Sequence, residues 1–283
     1  LQELGLGSND IGDKGALALG ANVSWKQLQK LDLSWNKKIN DEGLATIAQN
    51  NTWGNLKELS LAGNQIGDAG TIAIASNLTW RNLLKLDLSW NRKITDAGVS
   101  VLASNAAWIH LQELLLSGNQ IAEESALALS GNSAWTNLRV LWLSANNLND
   151  DAAMALASNS SWESLEELWL TFNQIGDKGA SALASNTAWN KLQKLYLSWN
   201  QIGNEGATAL SRNARFDLEE LYLYQNQIEE SGALALAANT TWKNLQVFNL
   251  WGNKINDDGV LALQTNPYFG NIVDLNKPAW EKQ

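Results

Sequence analysis

The chain repeats itself. From Leu1, Leu28, Leu56, Leu83, Leu111, Leu138, Leu165, Leu192, Leu218 and Leu245, a unit of 26 to 28 residues opens with LxxLxLxxN and closes with NxxW or NxxF. A truncated unit follows at Ile272. A fixed short period overrides the usual expectation of one or two globular domains for 283 residues and implies a solenoid of stacked coils. No unit this short can bury its own apolar face, so each must use its neighbours. We expect a single domain over 1–283, with full repeats over 1–271 and a stub over 272–283 that covers the last coil through Pro278 and Trp280.

Within each unit the LxLxx alternation reads as a short strand with two leucines inward, and the Ala- and Leu-rich stretch after it reads as a short helix. The residue at the start of that helix is Asp13, Asp41, Asp68, Asp96, Asp150, Asp177 or an equivalent, which predicts an N-cap for its own helix. Two residues later the chain is always small, as at Gly15, Gly179 and Gly206, which implies a close approach there. Asparagine fills the ninth place of every full unit, from Asn9 to Asn253, and predicts a ladder of buried amides serving the turn backbone. A second asparagine column, from Asn22 to Asn266, predicts a left-handed residue closing each helix. Three residues on, an aromatic in every unit, Trp in eight of ten, predicts a core column. The units at Leu28 and Leu83 each carry one extra residue, in WNKKI and WNRKI.

LQKLDLSWN (Leu28 to Asn36) and NQIGDKGASALASN (Asn173 to Asn186) resemble the ribonuclease-inhibitor-like leucine-rich repeats, including those of NOD-like receptors, RanGAP-type proteins and several bacterial effectors. The likeness covers almost all of the chain. It implies an α/β leucine-rich repeat solenoid, right-handed and curved, with about ten parallel strands on the concave face and short helices on the convex face. It also implies non-covalent recognition of a protein, with regulation of an enzyme as an alternative, either inhibition of a basic enzyme or activation of a GTPase. The chain departs from that family in a shorter helical segment and in extra residues, including the Trp, before the strand.

A net charge of −9 argues against nucleic acid, whose affinity comes from Lys and Arg, and favours a basic protein partner. No cysteine is present, which points to the cytoplasm or another reducing compartment, or to a bacterial secreted effector. No apolar run approaches the roughly 18 residues of a membrane span. The chain opens inside a repeat, without Met, signal peptide or cap, and reads as a fragment whose first strand is open to missing residues or a partner.

Outward strand places carry the candidate site. The third-place column alternates Glu and Lys (Glu3, Lys30, Glu58, Lys85, Glu113), which reads as a register-fixing charge ladder. The fifth-place column changes character along the chain, from Gly5, Asp32, Ser60 and Asp87 to Trp142, Trp169, Tyr196 and Tyr222. Phe172, Trp199, Tyr224 and Trp251 at the seventh and eighth places extend it into one aromatic patch. Trp and Tyr dominate interface energetics, so Trp142, Trp169, Tyr196 and Tyr222 are the expected anchors for a protein partner. Stacking of the rings on one another and carbohydrate binding are the competing readings. Trp35 and Trp90 read as covers for the extended turns.

Catalysis has little to draw on. The one histidine, His110, sits where other units carry Gln27, Asn55 or Asn137, as a spacer would. There is no thiol, no zinc set, and no calcium-loop spacing around Asp257 and Asp258, so no cofactor or metal is expected. Five glycosylation sequons, at Asn22, Asn50, Asn77, Asn159 and Asn239, all fall in the second asparagine column and read as products of repeat multiplication.

Overall fold

Each of the first ten strands is three residues long, with one role per residue. The third and fifth places of the unit face outward, and the fourth, a leucine or Phe248, faces inward; Leu31, Leu59, Leu195, Leu221 and Phe248 are fully buried. The computed structural model describes residues 1–275, in two compact units, Leu1–Asn146 and the described residues from Asn147 onward. Pro278 and Trp280 lie outside the described residues.

In the first unit β1 (Glu3–Gly5), β2 (Lys30–Asp32), β3 (Glu58–Ser60), β4 (Lys85–Asp87), β5 (Glu113–Leu115) and β6 (Val140–Trp142) pair in parallel and in chain order. They alternate with α1 (Asp13–Gly20), α2 (Asp41–Ala48), α3 (Asp68–Ala75), α4 (Asp96–Ala103) and α5 (Glu123–Gly131). The second unit follows the same rule with β7 (Glu167–Trp169), β8 (Lys194–Tyr196), β9 (Glu220–Tyr222), β10 (Val247–Asn249) and β11 (Val273–Asp274). Its helices are α6 (Asp150–Ala157), α7 (Asp177–Ser185), α8 (Asn204–Arg212), α9 (Glu230–Ala237) and α10 (Asp257–Thr265). This is the expected α/β solenoid. Helices of eight or nine residues are too short to persist alone, so packing against the next coil sustains them.

The aromatic column is core, as its spacing implies. Trp53, Trp80, Trp108, Trp135, Trp162 and Trp189 are buried between helix end and following strand. Trp135 donates its indole N–H to the Asn105 carbonyl at 3.1 Å. The ninth-place asparagines form the expected ladder. Asn200 donates to the carbonyls of Leu197 in its own coil (3.0 Å) and Leu170 in the coil before (2.9 Å), and accepts the Ile175 N–H at 2.9 Å.

The second asparagine column does not do what its position implies. These residues are not left-handed: Asn186 has φ −61 and ψ 131, and Asn266 φ −63 and ψ 129. They form another ladder between coils instead. Asn50 donates to the Gly20 carbonyl at 2.7 Å and Asn239 to the Ser211 carbonyl at 2.7 Å, while each amide oxygen accepts a backbone N–H two residues on, at 2.9 Å. A free helix-end carbonyl is thereby satisfied by the next coil rather than by a local turn.

The aspartate column also differs from expectation. The aspartates are the first helical residues, not N-caps, and each of those paired below caps the helix of the following coil. Asp150 Oδ1 accepts the N–H groups of Gly176 (2.7 Å) and Gly179 (2.8 Å), and Asp177 those of Gly203 (2.7 Å) and Gly206 (2.8 Å). Asp41 and Asp68 serve the coils after them in the same way. Gly176 and Gly203 stand at the N-cap place and offer no side-chain oxygen, so the cap comes from outside. The small residue two places into the helix follows from this arrangement. A Cβ on Gly179 would lie 2.7 Å from Asp150 Oδ1 and 2.8 Å from Ile175 Cγ2. At the equivalent Ser125 the hydroxyl donates to Asp96 instead.

Gly→Ala inside a helix ordinarily stabilises by about 1 kcal/mol. Gly179→Ala should instead destabilise by about 1–3 kcal/mol through overpacking against the carboxylate. Gly131→Ala, with nothing within 4 Å of its Cβ, should be neutral or stabilising. Urea unfolding of the two variants tests the capping geometry, and equal stabilities would show that the carboxylate does not occupy that place.

Candidate partner-binding face

Parallel pairing in register puts Trp169, Tyr196, Tyr222 and Asn249 side by side at the ends of β7 to β10. Neighbouring strands are about 4.8 Å apart, so rings at one place must meet. Trp169 and Tyr196 stack with centroids 3.8 Å apart, and Tyr196 and Tyr222 at 4.8 Å with planes 13° apart. Tyr224 meets Tyr222 edge-on at 6.4 Å. The rings are half-buried, each keeping part of its surface outward. Beyond them Asn249 is buried and its amide faces Asp274 at 3.4 Å.

A charge network holds the stack from one side. Lys194 reaches Glu167 at 3.0 Å and Glu220 at 3.6 Å, and the Tyr196 hydroxyl donates to Glu220 at 2.6 Å. In the first unit the same column pairs Lys30 with Glu58 (2.8 Å) and Lys85 with Glu113 (2.7 Å). Burial first, then the Glu220 hydrogen bond and charge, raises the Tyr196 phenol well above its ordinary value. Tyr222 is raised by burial and then by Glu220, and Lys194 is raised chiefly by its bond to Glu167.

The aromatic residues do not form one sheet of rings. Phe172 and Trp199 stack with centroids 4.9 Å apart, but they lie at the turn after the strand, both left-handed, at φ 56 and 53. Trp251 is half-buried and makes no ring contact among the described residues; its backbone N–H donates to the Asn249 side chain at 3.0 Å. Trp142 belongs to the first unit, in register with Leu115. The second unit therefore carries one stack on its strands and one at its turns.

Two features went unread in the sequence. Glu220 stands at the third place of its unit, in the column of alternating charge, and the sequence does not show that it also orients Tyr196. The eighth place is left-handed in every full unit, at Ser8, Trp35, Gly63, Trp90, Gly118, Ala145, Phe172, Trp199, Gln225 and Gly252. Glycine at three of those ten places was the available signal. Trp35 and Trp90 do cover the turn, each lying over the glycine of the next coil, Gly63 and Gly118. Among the described residues no three of His, Cys, Asp and Glu gather as a metal site, and no helix is long and apolar enough to cross a membrane.

A family model described as Leucine Rich repeat matches nine segments: residues 1–20, 27–48, 55–75, 81–103, 109–130, 136–157, 163–184, 190–211 and 243–263. Comparison with curated proteins found no match. Among solved structures, an internalin, InlF of Listeria monocytogenes, is similar over 98% of this chain and 88% of its own, at 19% identity and a TM-score of 0.51. That likeness is one of fold.

The folded pKa of Tyr196 exceeds its unfolded value, so the stability it contributes is complete below about pH 10 and is lost as pH rises toward the folded value. Tyr196→Phe should cost about 1 kcal/mol at pH 7, below the range usual for a bond to a charged group because the site is partly solvated. Denaturant midpoints from pH 7 to above pH 10 should show that gap closing, and a pH-independent gap would remove Glu220 from the account.

Proposed function

Because the chain belongs to the leucine-rich repeat family, we propose that it is a non-catalytic recognition scaffold that holds a protein partner on the outward strand face of its second unit. The observation that carries this reading is the Trp169–Tyr196–Tyr222 stack, at in-register strand ends and tied through Tyr196 to Glu220. Rings already stacked and anchored lose little rotamer freedom on binding, so more of their contact energy reaches the affinity. Trp169, Tyr196 and Tyr222 are the proposed anchors of the second unit, with Phe172, Trp199, Tyr224 and Trp251 as the surrounding contacts; Trp142 is a proposed anchor on the first unit's own strand face.

The net charge of −9 favours a basic partner, consistent with an inhibitor of a basic enzyme as the second reading.

For a partner recovered by pull-down, Trp169→Ala with Tyr196→Ala should weaken binding at least about 30-fold, the equivalent of a hot-spot pair, while the circular dichroism spectrum is kept. Unchanged affinity overturns the assignment of the site. Raising the salt from about 50 to about 500 mM should weaken a basic partner strongly and a neutral one little.

A further inference from the structure

The column of alternating charge breaks within the strand face of the second unit. Its third places read Glu167, Lys194, Glu220 and Val247, and Val247 stands beside Glu220 in register. Where alternation calls for a lysine, the residue is a half-buried valine. Lys194 does not make up for it, since its ammonium lies 3.0 Å from Glu167 but 3.6 Å from Glu220 Oε1, longer than a hydrogen bond. Glu220 Oε2 accepts the Tyr196 hydroxyl at 2.6 Å. Oε1 is therefore loosely held, on a carboxylate only 24% exposed.

The same break leaves a hydroxyl without its partner. Tyr196 donates to the third-place glutamate of the next coil, and Tyr222, one coil further on, meets Val247 at that place. Its hydroxyl makes no hydrogen bond among the described residues and is not buried. Tyr196 covers one face of the Tyr222 ring, and Tyr224 meets it edge-on. Asn249, the next fifth-place residue, brings no ring to the other face. Val247 is thus bordered by a carboxylate oxygen, a phenol hydroxyl and a ring face. In the first unit Val140 follows Glu113 in the same way, but the fifth-place residue beside Glu113 is Leu115, which has no hydroxyl.

Charge sets the sign of the occupant. Residues 147–275 hold fifteen Asp and Glu against seven Lys and Arg, whereas residues 1–146 hold thirteen against eleven. The half that bears the tyrosine stack carries most of the negative charge and draws cations to it. An ammonium would meet Glu220 as a point charge and nothing more. A guanidinium is planar, donates through several N–H groups at once and stacks on aromatic faces, so it matches all three borders.

We propose that an arginine side chain of the basic partner docks over Val247, donating to Glu220 Oε1 and to the Tyr222 hydroxyl oxygen with its plane against the Tyr222 ring. This rests on the strand face of the second unit being the partner site, and it names the group that the face selects.

Calorimetric titration of the intact chain with tetra-arginine and with tetra-citrulline, its uncharged isostere, at about 150 mM salt tests the contact. Tetra-arginine should bind saturably, and at least about 10-fold more tightly than the isostere. Glu220→Gln, which keeps an acceptor for Tyr196, should weaken it about 10-fold, Tyr222→Phe about 3-fold, and Val247→Lys, which places a cation of the chain itself beside Glu220, about 10-fold or more. Glu113→Gln removes the same charge at the other break and should leave the affinity within about 2-fold. Equal binding of the two peptides, or equal effects of Glu220→Gln and Glu113→Gln, would overturn the proposal. If Trp169→Ala with Tyr196→Ala weakens a pulled-down partner while Glu220→Gln, Tyr222→Phe and Val247→Lys do not, the face is the partner site and the arginine contact is wrong. If none of these substitutions weakens that partner, both readings fall.

Discussion

A polar atom buried inside a stack of coils can find its partner only in the coil beside it, and this constraint organises the molecule. Three columns meet it. Ninth-place asparagines serve the turn after the strand, helix-end asparagines serve the free carbonyls, and aspartates cap the next helix. Each unsatisfied group would cost about 1–3 kcal/mol, more than the margin any single short coil can spare. Column residues consequently answer to two coils at once.

Outward strand places are released from that obligation, and the same register that builds the ladders decides what they can do. A column of alternating charge becomes a run of ion pairs, as Lys30 and Glu58 show, and a column of rings becomes a stack, as Trp169, Tyr196 and Tyr222 show. Glu220 joins the two columns, since it faces Lys194 along one and accepts from Tyr196 in the other. Stacking and presentation to a partner are compatible, because face-to-face contact between coils occupies the ring faces and leaves other surface outward.

Departures from the regular coil gather at the left-handed eighth place. The inserted Lys37, itself at φ 59, displaces the bond that a ladder oxygen normally accepts, and Asn64 Oδ1 is buried without a partner among the described residues. At the second insertion Asn119 recovers by accepting the Asn91 N–H at 3.0 Å. Gln65 and Gln120 each reach back to the carbonyl of the inserted residue, at Lys37 and Arg92. The two turns that break the ladder are the two that carry Trp35 and Trp90.

Amino-acid order alone determined the coil, because a leucine every second strand residue and an asparagine at a fixed place admit one way of stacking: Leu168, Leu195 and Trp189 are buried where the period put them, and Asn200 lies in its ladder. It also placed Trp169, Tyr196 and Tyr222 together, since parallel register makes equal places neighbours. Only the tertiary structure decided which coil each aspartate caps, because Asp150 is as near in sequence to its own helix as any N-cap and the choice rests on the adjacent coil. Likewise only the folded backbone showed that Phe172 and Trp199 sit on a left-handed turn. Handedness at a single residue leaves a mark on composition where glycine takes it, and here seven of ten units place another residue there, stabilised by contacts that the one-dimensional pattern does not contain.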